Sequence, residues 1–282
     1  MTIKLEATGE RVVEDAYKES LGGYVIYLMH LASYRFARTY CAGRRVLDFG
    51  CGSGYGAASL ADMAESVIAV DVSADAVAFA AARYEAPNLS FRRIEGAGPL
   101  PFEDDQFDVV LSFQVIEHVD DEAAYLREAR RVLKPGGVMI IVTPNRAVRL
   151  LPFQKPWNRW HVREYSMDSL RRVVAPWLEV REAHYMGAEN RVASVELKRY
   201  RLAKWALLPV TLPFVPERIR RRGLDGVHAL RSKKKDAEAR GPATSLEFDF
   251  DASAMLIGSI VPNPLNLVLL AQRPGEGDAP GP

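Results

Sequence analysis

Short, nearly continuous apolar runs alternate along the chain with stretches in which apolar residues recur every third or fourth position. The runs RRVLDF, SVIAVDV, LSFRRIEG, FDVVLSFQ and GVMIIVTPN read as five strands. Between them YGAASLADMA, ADAVAFAAARY and DDEAAYLREARRVL carry the helical period. Strands without an alternating polar face are buried on both sides, so the β-α alternation predicts a parallel sheet with helices on each face. Lys134-Pro135-Gly136-Gly137 ends a helix and turns the chain into the fifth strand. A helix over Met167 to Val174, a strand near Leu178 to His184 and a last strand in NPLNLVLLAQRP complete an α/β, doubly wound, mostly parallel seven-stranded sheet. Ahead of it, Val13, Tyr17, Leu21, Tyr24, Val25, Leu28, Leu31 and Ala32 follow helical spacing, which predicts an N-terminal helical cap over residues 1–43. The pattern loosens over 191–245, longer than an ordinary connection, and this stretch reads as an insertion or lid inside a domain spanning 44–273. The tail 274–282 is expected to be disordered.

Composition narrows the function classes. The chain has 282 residues, 48% hydrophobic and 26% charged, enough for one full core with room for a cap. A net charge of +1 provides no overall field for nucleic acid, and no aromatic stacking pattern accompanies the local arginines, so no nucleic-acid partner is expected. Cys41 and Cys51 lack partners at metal-ligand or redox spacing, which fits a reducing compartment. MTIKLEATGER has no basic segment followed by an apolar run, and no uncharged apolar stretch reaches the ~18 residues of a membrane span. A cytoplasmic protein is expected. The segment WALLPVTLPFVPERIRRRG combines apolar residues, Trp205 and clustered arginines; it reads either as a lid or as a peripheral membrane contact through 205–222.

The chemistry concentrates in Asp48-Phe49-Gly50-Cys51-Gly52-Ser53-Gly54, which joins the first strand to a helix. Glycines there admit positive φ and close approach of a ligand to backbone N–H groups. Asp71, at the end of the second strand, is placed to accept hydrogen bonds from the hydroxyls of an adenosine ribose. A dinucleotide pattern can be matched with Gly52, Gly54 and Ala57, but Asp48 would repel a pyrophosphate while attracting an ammonium group. Glycines serving only a tight turn would leave Asp48 and Asp71 unexplained together. Two histidines lie on the strand-end edge where such sheets bind ligands: His118 in Glu117-His118-Val119, and His161 in the polar loop Asn158 to Ser166. Either is a candidate catalytic base, the alternatives being a helix-start hydrogen bond for His118 and an Arg163–Glu164 ion pair beside His161.

LDFGCGSGYG, AVDVS, PLPFEDDQFDVVLSFQVIEHV, RVLKPGG and IIVTPN together resemble class I S-adenosylmethionine-dependent methyltransferases, specifically the bacterial small-molecule group, over roughly residues 8–190. The resemblance implies the Rossmann-like methyltransferase fold and S-adenosyl-L-methionine as cofactor. It further implies that Asp48, Gly50, Gly52 and Gly54 hold the methionine part, with Gln114 at its end, Asp71 the ribose and Val72 the adenine, under Tyr34 as cover. Family members often have Asp before the LPF segment; here Glu95-Gly96-Ala97-Gly98 stands there, so the Gly96 or Ala97 backbone, or a shifted Glu95, is expected to substitute. Ser33 replaces a usual Arg. A metal-dependent relative uses E-x-x-E-H plus a later His; with Gln114 in place of the first Glu, no metal is expected. Thr8 to Arg11, His30 to Ala37 and the N-x-x-H-x-R-E-Y loop resemble members associated with sugar and cell-envelope glycan biosynthesis. That implies O-methylation of a small-molecule acceptor, saccharide or lipid-linked. N- or C-methylation of a quinone-like or amine metabolite, and a catalytically silent cofactor-binding module, remain the alternatives.

Overall fold

The computed structural model describes residues 17, 20–96, 98–238 and 248–275, with the side chains of 230–238 excepted. The strands are β1 (Arg45–Phe49), β2 (Ser66–Asp71), β3 (Leu89–Arg93), β4 (Phe107–Phe113), β5 (Leu133–Pro144), β6 (Glu179–Ala188), β7 (Met255–Gly258) and β8 (Pro264–Gln272). They form one sheet in the order β3-β2-β1-β4-β5-β8-β6-β7. The pairs from β3 through β5 are parallel, whereas β8 runs antiparallel between β5 and β6. The sheet therefore has eight strands where the sequence pattern predicted seven. The addition, β7, is a four-residue strand paired antiparallel to β6 at the edge.

Burial on both faces is visible residue by residue. Val46, Val109, Ile140 and Val268 join one apolar core, and their chain neighbours Leu47, Val110, Ile141 and Leu269 join the other. That strict alternation on doubly buried strands is why the strand sequences carry no polar face. Helix α1 (Leu21–Cys41), α2 (Tyr55–Ala58) and α7 (Asn190–Ala206) contribute to the first core; α4 (Glu122–Val132) and α6 (Met167–Val174) cover the second. The remaining helices are α3 (Ala74–Arg83), α5 (Arg146–Arg149), α8 (Leu208–Thr211) and α9 (Glu217–Glu238). Ser20, Ser73 and Asp121 cap α1, α3 and α4 by accepting from first-turn backbone N–H groups.

Much of the loosened stretch is helical, built from α7, α8 and α9. Its prolines mark helix beginnings: Pro209 falls in the first turn of α8 and Pro216 directly precedes α9. The expected cap residues before Tyr17, the segment 239–247 and the tail from 276 lie outside the described residues. No described helix is long and apolar enough to cross a membrane.

Candidate active site

Strand order reverses between β1 and β4, and a cleft of about 520 Å³ opens at the carboxyl ends of the strands there. The bend after β1 forms one wall. Gly50 sits at φ +107°, a region closed to side chains, and a Cβ on it would collide with Val115. Its N–H and that of Cys51 both donate to the Val70 carbonyl, at 2.8 and 2.9 Å, fastening the bend to β2. Gly52 also lines the cleft, and a Cβ there would meet nothing within 4 Å. Gly54 serves packing instead: a Cβ would lie 2.5 Å from Ala80 and 2.7 Å from Phe91, and the residue is absent from the cleft wall.

Asp71 lies on the cleft wall with its carboxylate already oriented. One oxygen accepts from Gly52 N–H at 2.9 Å and the other from Ser73 N–H at 2.8 Å. Each oxygen retains acceptor capacity for a further donor. Val72 projects beside it, 55% exposed, with Ile94 on the same wall. Gly96 is an exposed turn residue whose Cβ would lie 3.5 Å from Val72, but it does not line the cleft, and Ala97 lies outside the described residues.

Asp48 departs from its expected place. It is 1% exposed, beneath the bend, and accepts a 2.9 Å hydrogen bond from the Tyr34 hydroxyl rather than lining the cleft. Burial pushes its carboxyl up to about 7, against the Tyr34 hydrogen bond and with help from the charge of Asp71. Tyr34 lines the cleft, and burial raises its hydroxyl well above the ordinary range.

Gln114 bends the chain at φ +58°, rare for a residue with a side chain, and donates its N–H to Val142 O at 2.8 Å. With His30 it lines both the main cleft and a smaller chamber of about 50 Å³, so the two spaces adjoin. His118 stands on the cleft wall and His161 on the chamber wall; their rings meet edge to face at 4.9 Å. His161 Nδ1 lies 2.9 Å from Glu164 Oε1, and Glu164 Oε2 accepts from Arg149 Nε at 2.9 Å. Burial alone would raise the Glu164 carboxyl, but Arg149 and His161 outweigh it and hold it at about 2. An ionised Glu164 makes His161 Nδ1 the donor, which leaves the lone pair on Nε2. The Arg163–Glu164 ion pair, the alternative to a catalytic His161, does not form among the described residues: Arg163 bridges to Glu122 at 2.6 Å, and Glu164 pairs with Arg149 and His161.

Beneath the histidines, Glu117 is fully buried. One oxygen accepts from Thr143 Oγ1 at 2.8 Å, and the other has no hydrogen-bond partner among the described residues. Burial raises its carboxyl despite the two histidines. Glu117, His118 and His161 each offer a ligand atom within 4.8 Å of the others, a converging set where the sequence suggested an incomplete one. Sequence reasoning passed over three contributors. His30 stands one helical turn before Tyr34 on α1, a spacing that puts both on one face. Trp160 and Tyr55 carried no comparable signal and also line the cleft.

Residues 47–141 match the family model described as the methyltransferase domain. A Mycolicibacterium smegmatis protein described as "Probable S-adenosylmethionine-dependent methyltransferase" is 39% identical over 170 residues, 60% of this chain and 63% of its own length. A ubiquinone biosynthesis O-methyltransferase of Caulobacter sp. is 38% identical over 127 residues, covering 42% of this chain and 48% of the relative. The chain thus spans less than two thirds of each. The solved S-adenosylmethionine dependent methyltransferase from Mesorhizobium loti superposes with a TM-score of 0.51 at 15% identity, covering 90% of this chain and all of that one. The fold is the Rossmann-like methyltransferase fold.

Proposed function

We propose that this protein is an S-adenosyl-L-methionine-dependent methyltransferase that methylates a hydroxyl oxygen of a small-molecule acceptor, saccharide or lipid-linked. The observation that carries it is the bend at Gly50 and Gly52 anchored to the Asp71 carboxylate at the mouth of a cleft large enough for a nucleoside. The cleft wall suits this cofactor: an open face at Gly52, acceptor capacity on Asp71 for ribose hydroxyls, and apolar Val72 and Ile94 for a purine. Asp48, one layer below, makes no direct contact with the methionine ammonium; it adds a negative field to the extent that its carboxyl, held at about 7, is ionised. When bound, the cofactor supplies an electrophilic sulfonium methyl.

An acceptor hydroxyl at the junction marked by His30 and Gln114 loses its proton to His161 Nε2. Glu164 holds that imidazole in the accepting tautomer and stabilises its charged form. Arg149 in turn keeps Glu164 ionised, and is itself held over the Trp157 and Tyr200 rings, 4.4 and 4.8 Å from their centroids. Proximity supplies most of the remaining acceleration, since the methyl donor is already activated. The ubiquinone-biosynthesis relative, named for O-methylation, supports oxygen as the acceptor atom. A divalent cation on Glu117, His118 and His161 is a second reading, favoured by the unpartnered buried oxygen of Glu117.

Calorimetric titration with S-adenosylmethionine tests the cofactor assignment. Asp71→Ala is expected to weaken binding by about 10- to 100-fold, the loss of one or two hydrogen bonds to a charged acceptor. Equal affinity in the variant would remove Asp71 from the site. Supplying a pool of cell-extract metabolites and measuring S-adenosylhomocysteine release tests the chemistry: His161→Ala should slow release by about 10²-fold or more. Release abolished by EDTA and restored by magnesium would favour the cation reading, and indifference to both favours the base.

A further inference from the structure

Helix α7 has two contrasting sides. Tyr200 and Ala203 face inward, Tyr200 onto the small chamber, and Ala203 packs with Leu207 and Leu224. Lys198, Arg201, Leu202 and Trp205 fall at positions i, i+3, i+4 and i+7, one stripe of the helix, and all four are exposed. Leu202 is 70% and Trp205 59% exposed, values at odds with residues that usually find cover. The chain then turns through α8 into α9, and this corner adds Phe214 at 78% and Ile219 at 56%. Cations flank the apolar residues on both helices.

Their pairing separates the arginines into two groups. Arg199 bonds Glu196, and Arg220 and Arg221 bond Glu217, so these belong to the internal fastening of the helices. Among the described residues, Lys198, Arg201, Arg218 and Arg222 make no ion pair. Large apolar side chains ringed by unneutralised cations fit an interface that is oily at its centre and negative at its rim. A second copy of the chain would bring the same positive charges face to face, and like charges oppose such a contact.

We propose that the corner formed by the end of α7, α8 and the start of α9 docks on an anionic lipid bilayer, with Trp205, Phe214, Leu202 and Ile219 entering the headgroup layer and Lys198, Arg201, Arg218 and Arg222 pairing with lipid phosphates. An amphipathic surface of this kind lies in the interface without spanning it. The docked stripe lies on the side of α7 turned away from Tyr200 and the chamber, so the docking stands independently of the methyltransferase reading.

The test uses the full chain and vesicles of phosphatidylcholine with increasing phosphatidylglycerol, in the absence of cofactor, read by flotation. Bound protein is expected to rise steeply with the anionic fraction and to fall as salt is raised toward 0.5 M. Trp205→Ser with Phe214→Ser, and separately Arg218→Glu with Arg222→Glu, are each expected to lower the partition about tenfold or more. Circular dichroism and S-adenosylmethionine titration check that each variant keeps its fold and cleft. No partition onto anionic vesicles overturns the proposal, as does partition that the Trp205 and Phe214 changes leave unaltered. Sedimentation showing a dimer that those same changes dissolve would assign the corner to a second copy instead. Because no turnover is measured, loss of docking and loss of the methyltransferase reading are separate results.

Discussion

Asp48 shows how a single buried carboxyl makes stability depend on pH. It is held at about 7 in the folded chain, against about 3.8 when exposed, so between these values the folded state retains a proton that the unfolded chain has released. The sign follows directly: Asp48 contributes most below pH 4, and its contribution is lost as pH rises toward 7. At its steepest the loss is about 1.4 kcal/mol per pH unit. Asp48→Asn keeps an acceptor for Tyr34 but cannot ionise. Urea unfolding of both proteins from pH 4.5 to 7.5 should show the wild type losing stability relative to the variant as pH rises. A parallel pair of curves would mean that Asp48 titrates normally. The same residue explains a misplacement: sequence position put Asp48 beside the methionine ammonium, but a strand residue points to one face or the other, and its face is the one covered by Tyr34.

At the scale of elements, α1 docks on the glycine bend through a contact that tolerates no side chain. A Cβ on Gly56 would run into the Tyr34 ring, although Gly56 has ordinary helical geometry where alanine would be preferred. Helix propensity favours Gly56→Ala by about 1 kcal/mol and overpacking opposes it by about 1–3 kcal/mol. The clash wins because both partners are anchored, Tyr34 by Asp48 and Gly56 by the bend. Thermal unfolding should show Gly56→Ala destabilised, with Tyr34→Ala reducing that penalty in the double variant; additive effects would place the two apart. This docking was only partly legible. The helical spacing of α1 and the strands β1 to β5 could be read because burial on both faces writes an apolar run into the sequence. β7 could not: MLIG is four residues long and pairs only at an edge, leaving too short a pattern. Helix α7 hid for a different reason, since Glu196 and Tyr200 occupy its buried face and break the apolar stripe. The bend and Asp71 were legible from spacing, whereas the Arg149–Glu164–His161 chain joins residues whose relation only the folded loop reveals.

Across the whole molecule, the late helices act as a clamp on the loop that carries His161. Gln154 bonds the Lys204 carbonyl and Thr211, Lys155 reaches Val215 O, and Arg159 pairs with Asp225. Arg220 is the centre of the clamp: 2% exposed, it donates to Pro156 O at 2.6 Å and His161 O at 3.4 Å while Glu217 balances its charge. The segment expected to be a lid is thus fastened to one edge of the site, holding the His161 loop from behind. Arg220→Met retains much of the buried volume but leaves the Pro156 carbonyl without its donor, at a cost of about 1–3 kcal/mol. Glu217 is not stranded, because it is half exposed and keeps Arg221. Since the lost bonds secure the loop more than the sheet, the cost should fall on local opening: exchange of the Val162 amide, which donates to Glu117 O, is expected to quicken about 10- to 100-fold. S-adenosylmethionine affinity should stay within about twofold, because the Gly52–Asp71 anchor is untouched. Unchanged exchange at Val162 would show that the late helices merely rest on the loop, and His161 would then owe its position to Glu164 and Arg149 alone.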